Sequence, residues 1–119
     1  MKTRDVVEAF WDRMNARDWE GLEELLNPHF VAHFPQSGED FSRDLYLRLN
    51  AEYPGDWKIR VAAIISTDHE VVSRVEVDID GKLDTAISFF QLQDGRIMRL
   101  DEFWPEPFPI PEWRLKWKE

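Results

Sequence analysis

The segment GKLDTAISFFQLQDGRIMRLDEFW, residues 81–104, decides the fold. Leu83 to Gln93 reads as a strand, Asp94-Gly95 as a tight turn and Arg96 to Trp104 as a second strand. Phe103-Trp104-Pro105 closes this hairpin, and a proline-punctuated tail follows. Working upstream, Asp80-Gly81 is another hairpin turn. Val71 to Ile79 alternates, with Ser73, Val75, Val77 and Ile79 on one face and Arg74, Glu76 and Asp78 on the other. Trp57 to Thr67 is rich in Ile and Val, and Asp68-His69-Glu70 turns the chain. Four successive antiparallel strands are therefore predicted.

Ahead of them the hydrophobic period is helical. Val7, Phe10, Trp11 and Met14 follow i, i+3, i+4, i+7 spacing behind Thr3, which is predicted to cap the helix, with Asp5 in its first turn. Asp18 is placed to cap a second helix carrying Trp19, Leu22, Leu25 and Leu26, which Asn27-Pro28 ends. Phe30 to Phe34 is a short strand candidate and Pro35 to Gly38 a turn. Ser42 is placed to cap a third helix in which Leu45, Leu49 and Tyr53 share a face, and Pro54-Gly55 stops it. Helices followed by antiparallel strands predict an α+β domain with three N-terminal helices packed on one face of a curved, mainly antiparallel sheet.

Bulk properties narrow the function classes. At 119 residues the chain is one domain, residues 1–119, with 105–119 as a Pro/Trp-rich tail. Cysteine is absent, which excludes disulfides and thiolate chemistry and fits a reducing compartment. No positively charged apolar leader and no run of membrane-spanning length occurs, so a cytoplasmic protein without membrane partners is expected. The formal charge of −9 repels polyanions, which makes nucleic acid a poor partner. Six Trp and eight Phe are enough rings to fill a core or to line a cavity.

The order helix, helix, short strand, helix, four long strands resembles the nuclear transport factor 2-like superfamily, which has a cone-shaped, cystatin-like fold. Its SnoaL-like branch is the nearest in kind. The resemblance rests on Ala16-Arg17-Asp18-Trp19, on Phe34-Pro35, and on Asp94-Gly95-Arg96-Ile97 leading to Glu102-Phe103-Trp104. It implies a cone enclosing a pocket and, as in many members, a homodimer formed through the outer sheet face. The ketosteroid isomerases of this superfamily use a tyrosine and two acids. Carried onto this chain, those roles fall on Phe10, on Phe34 (or His33 with a one-residue slip) and on Ile87. Phe10, Phe34 and Ile87 can neither move a proton nor hold an enolate, so steroid isomerisation is not expected. The same carry-over places Trp104 on a pocket tryptophan.

In that register the strands' inner faces supply Thr85, Ile87 and Phe89, then Leu100, Glu102 and Trp104, with Ser73, Val75 and Val77 beside them. Phe10, Met14, Phe34 and Tyr53 complete the expected ligand pocket. Glu102 is the candidate catalytic residue, because a carboxyl among apolar neighbours is desolvated and poised for acid/base work. Asp101 should face the other way and pair with Arg99. His33 is a weaker catalytic candidate. His29 and His33 lie four apart on an extended segment, roughly 13 Å, too far to share one ion, so no metal site is expected, and no cofactor.

The expected function is binding or transformation of a small, largely apolar or aromatic molecule by cofactor-free isomerase, cyclase or hydratase-like chemistry. The alternative is a non-catalytic dimeric module with a ring-filled cavity. Trp11, Trp57, Trp104, Trp113 and Trp117 could form an aromatic cage. Pro105, Pro107, Pro109 and Pro111 force a stiff tail, which leaves a lid, a strap on a partner or a frayed end as its fates. The outer sheet face is expected to carry Arg74, Glu76 and Asp78 beside Phe90, Leu92 and Phe103.

Overall fold

The computed structural model describes residues 1–117. Helix α1 spans Thr3–Asn15, α2 Trp19–Glu24 and α3 Arg43–Ala51. Strands β1 (Leu26–Phe34), β2 (Glu39–Ser42), β3 (Trp57–Ser66), β4 (Glu70–Ile79), β5 (Lys82–Gln93) and β6 (Arg96–Phe103) form one sheet in the order β2-β1-β6-β5-β4-β3. All neighbours are antiparallel except β1 and β6. A curved, mostly antiparallel sheet wrapped on its helices is the predicted α+β class.

Local chemistry explains most boundaries. Lys2, not Thr3, precedes α1; the Asp5 carboxylate accepts from the Lys2 backbone N–H, and the Thr3 hydroxyl reaches the Thr67 carbonyl. Asp18 caps α2 through the Gly21 N–H and Ser42 caps α3 through the Leu45 N–H. Both Asp-Gly turns take left-handed backbone, with φ of 52° and 89° at Asp80-Gly81 and 53° and 77° at Asp94-Gly95. The first strand is longer than predicted. It starts at Leu26, and Pro28 falls in the irregular stretch between Leu26 and Val31 where pairing with β6 is interrupted. Strand β2 was absent from the sequence reading: four residues with no apolar alternation, held by pairing to β1.

The core lies between α1, α3 and the inner sheet face. Phe10 is fully buried, with its ring 5.1 Å from Phe90 and 4.8 Å from Trp11. Such ring pairs contribute about 0.5–1.5 kcal/mol each beyond the area they bury. On α3 the buried residues are Tyr46 and Leu47, whereas Leu45 and Tyr53 are half exposed. The predicted Leu45/Leu49/Tyr53 face is therefore rotated from the true one.

The register of β5 also differs from expectation. Pairing runs Gln93↔Arg96 and Leu92↔Ile97, then Gln91↔Arg99, so Met98 is an extra residue in β6. This bulge shifts β5 by one against a continuous hairpin. Ala86, Ser88 and Phe90 point inward and are buried, while Phe89 is 38% exposed on the outer face. Thr85, Ile87 and Phe89 thus leave the predicted pocket, and Phe90 and Leu92 leave the predicted outer face to pack on the core.

A candidate active site around Glu102

Inner side chains line up in rungs across the strands. One rung runs Ile64, Ser73, Ser88, Glu102 from β3 to β6. Its three polar members are all buried. The Trp11 Nε1 donates to the Ser73 Oγ at 3.1 Å, so α1 satisfies the first of them.

Glu102 is only 4% exposed. The Tyr46 hydroxyl donates to its Oε2 at 3.2 Å, the Ser88 hydroxyl to the same oxygen at 3.5 Å, and the Trp104 Nε1 to Oε1 at 3.1 Å. Its hydrogen-bond partners are neutral, and no cation pairs with it among the described residues. Burial raises the Glu102 carboxyl from its ordinary range to about 7; the bonds from Trp104, Tyr46 and Ser88 pull the other way and are outweighed. Tyr46 is pushed well above its ordinary value, chiefly by burial and then by the Glu102 charge and hydrogen bond. It therefore stays protonated and serves as a donor. The arrangement orients a carboxyl whose charge changes near neutral pH, which suits it to give or take a proton.

Glu102 and Trp104 form part of the wall of a cavity of about 50 Å³, together with Trp11, Met14, Tyr46, Asn50, Tyr53, Trp57, Ile59, Val77 and Ile79. Tyr53, 49% exposed, stands where the cavity meets solvent. Four of the residues predicted for the site, Met14, Tyr53, Glu102 and Trp104, are brought together here. Phe10, Val75 and Leu100 are buried in the core and do not line the cavity. Phe34 packs on Phe41 with ring centroids 5.0 Å apart. Thr85, Ile87 and Phe89 lie elsewhere for the register reason given above. His33 sits on the outer face and bonds Asp40 at 2.7 Å, which removes it as a second base in the cavity. Trp113 and Trp117 lie in the tail, about 70% exposed, so the cage of rings reduces to Trp11, Trp57 and Trp104. Over the Trp57 ring the Arg17 guanidinium stacks 3.5 Å from the centroid.

Tyr46, Asn50 and Ser88 were missed. The signal for the first two was present: Tyr46, Asn50 and Tyr53 follow i, i+4, i+7 spacing, a polar-aromatic stripe beside the leucines. Ser88 was hidden by the Met98 bulge. Among the described residues no cluster of three His, Cys, Asp or Glu side chains could hold a metal ion. No helix of the described residues is long and apolar enough to cross a membrane.

Residues 7–100 match the model of the SnoaL-like domain. The chain belongs to that family, within the nuclear transport factor 2-like superfamily. No curated protein sequence matches it significantly. Among solved structures it is similar to the "putative ketosteroid isomerase" of Kribbella flavida DSM 17836, with 30% identity over 98% of this chain and 87% of that one and a TM-score of 0.92. It is also similar to an NTF-2 like protein of unknown function from Burkholderia xenovorans LB400 (21% identity, 98% and 92% coverage, TM-score 0.81). An epoxide hydrolase of M. tuberculosis, described as LEH-like, shares the fold at 16% identity, 85% and 80% coverage and a TM-score of 0.69. The corrected register puts Ser88 and Ala86, not Ile87, on the inner face where the isomerases' second acid is expected, and neither carries a carboxyl.

Proposed function

We propose that this chain binds a small, largely apolar or aromatic molecule in the cavity beside Glu102 and transforms it by cofactor-free acid/base chemistry. The observation that carries the reading is a buried carboxyl at an aromatic wall, held by three neutral donors and by no cation among the described residues. A proton passes between Glu102 and the ligand and is returned within the turnover. An isomerisation, cyclisation or hydration needs no more from the protein than that exchange and a shaped, dry wall. Tyr46, Ser88 and Trp104 act as positioning residues: they fix the carboxyl and stabilise its charged form when the proton leaves. The resemblance to the Kribbella protein supports ligand chemistry in this cone, but Phe10, Phe34 and the inner pair Ala86 and Ser88 argue against steroid isomerisation as its form. A cysteine-free chain suits a reducing, cytoplasmic setting.

A second reading is favoured by the size of the void. An engineered apolar cavity that takes benzene is about 150 Å³, and this one is about 50 Å³. In this reading Trp11, Trp57 and Trp104 fill the cone, and the protein is a non-catalytic dimeric binding or interaction module. Both readings include a homodimer formed through the outer sheet face. A thermal-shift screen with small aromatic and terpenoid compounds, run on the wild type and on Glu102→Gln, separates the two. The acid/base reading predicts stabilising compounds whose shift shrinks by more than half in the variant. No stabilising compound, or shifts equal in both proteins, would reject it.

A further inference from the structure

Two apolar surfaces of this chain lie uncovered, and neither covers the other in this structure. The first is the outer sheet face. Directly behind the Glu102 rung, Ile65, Val72 and Phe89 form one outer rung, and Ile87 and Phe103 belong to the next. Ile65 is 70% exposed, and the Phe89 and Phe103 rings meet at 5.9 Å. The second is the tail. Phe108, Ile110, Trp113, Leu115 and Trp117 are each between 51% and 73% exposed. Burying side chains of this size is favourable, so both surfaces stand to gain from a cover.

The tail has a definite shape. Pro105 stops β6 by removing a ladder donor, and the Trp104 backbone N–H is held by the Gln36 side chain at 2.6 Å. From there the four prolines keep seven residues extended, a reach of roughly 20 Å at about 3.1 Å per residue. A 3₁₀ turn at Glu112–Trp117 then folds the end into a hook. Arg114 lies over the Phe108 and Trp113 rings at 5.9 and 5.8 Å. Among the described residues, no hydrogen bond joins 105–117 to the rest of the chain. The radius of gyration is 15.8 Å, against about 13.5 Å for a compact chain of this length, as expected of an arm that stands away from its body. The superposition on the Kribbella protein spans 98% of the chain, too much to leave the arm out.

We propose that the hook seats on the outer sheet face of a second copy of this chain, each copy covering the other's Ile65–Val72–Phe89 rung. The hook makes no hydrogen bond to its own body among the described residues, whereas a two-fold partner would present the same face to a stiff arm of this reach. The fit is apolar rather than ionic, because on the outer face Glu76 already bonds Arg60 and Asp101 already bonds Arg99. The assignment rests on the dimer reading above and gives it a mechanism.

Sedimentation of the full chain and an intermolecular NMR experiment test it. The wild type should sediment at twice its chain mass of 14.2 kDa. Trp113→Asp combined with Trp117→Asp should weaken the dimer at least 100-fold with an unchanged circular dichroism spectrum, since neither side chain packs on the body. Because the chain lacks cysteine, Leu115→Cys carries a single spin label. Mixed with unlabelled, ¹⁵N-enriched chain, it should broaden the Ile65, Val72 and Phe89 amides of the other copy. A monomeric wild type overturns both the arm assignment and the dimer. A wild-type dimer that resists the double substitution, or that shows no broadening at those amides, overturns the arm assignment and leaves the dimer standing.

Discussion

Asp101 and Glu102 are adjacent acids on one strand, and the sheet gives them opposite surroundings. Asp101 points outward and takes a two-pronged bond from Arg99, at 2.9 and 3.1 Å, at the partly open face. Glu102 points inward, where Tyr46, Ser88 and Trp104 donate and no cation pairs with it among the described residues. One rotation of the pleat separates a carboxylate paired with a cation from a carboxyl that burial holds near neutrality. The two faces of the β5–β6 hairpin thus have different tasks, and the residue's face, more than its type, decides which it takes up.

The largest effect should come from breaking the two faces with the same substitution. Phe90→Ala removes a fully buried ring and should cost about 3–5 kcal/mol. Phe89→Ala, on the other face, should cost about 1 kcal/mol or less in dilute solution. Chemical denaturation of both variants checks this, and the reverse ranking would mean that β5 has no Met98-induced slip.

The pH dependence follows from the raised Glu102 value. The folded carboxyl titrates at about 7, the unfolded one near 4.3. Between those values the unfolded chain binds fewer protons, so stability falls as pH rises. The contribution is fully present below about 4.3 and lost above 7. Relative to Glu102→Gln, the wild type should lose on the order of 4 kcal/mol across that window; a pH series of urea melts on both proteins reads it.

Tyr46→Phe should act in the same window. It deletes a donor to the charged form, and should cost about 2 kcal/mol above pH 7 but less below pH 5. A pH-independent loss would mean that the phenol matters only for packing. The smallest effect belongs to the outer acid: Asp101→Asn should cost under about 1 kcal/mol, and less in high salt.

Much of this layout could be read from the sequence, and the failures have identifiable causes. The Asp-Gly pairs marked two hairpins because left-handed backbone at those positions leaves little choice of element. The face of β6 was legible because Leu100 stands between the charged Arg99 and Asp101, and alternation from it carries Glu102 and Trp104 to the same side. The face of β5 was not, since Ile87 and Phe89 on one side look as core-like as Ala86, Ser88 and Phe90 on the other. Counting back from the Asp94-Gly95 turn gives the wrong set, because the count cannot register an extra residue at Met98. On α3, three leucines at alternate positions present apolar surface nearly all round, which hid the stripe of Tyr46, Asn50 and Tyr53. The short β2 strand has no pattern of its own and exists through pairing to β1.

The measurement that bears most directly on the whole account is the titration of the Glu102 side-chain carboxyl carbon by NMR, with Glu102→Gln identifying its resonance. A midpoint near 7 that rises when Tyr46 is replaced by Phe is the result expected of a desolvated acid held by neutral donors. A midpoint in the ordinary carboxylate range near 4.3, unmoved by Tyr46→Phe, would place that group in water and contradict it.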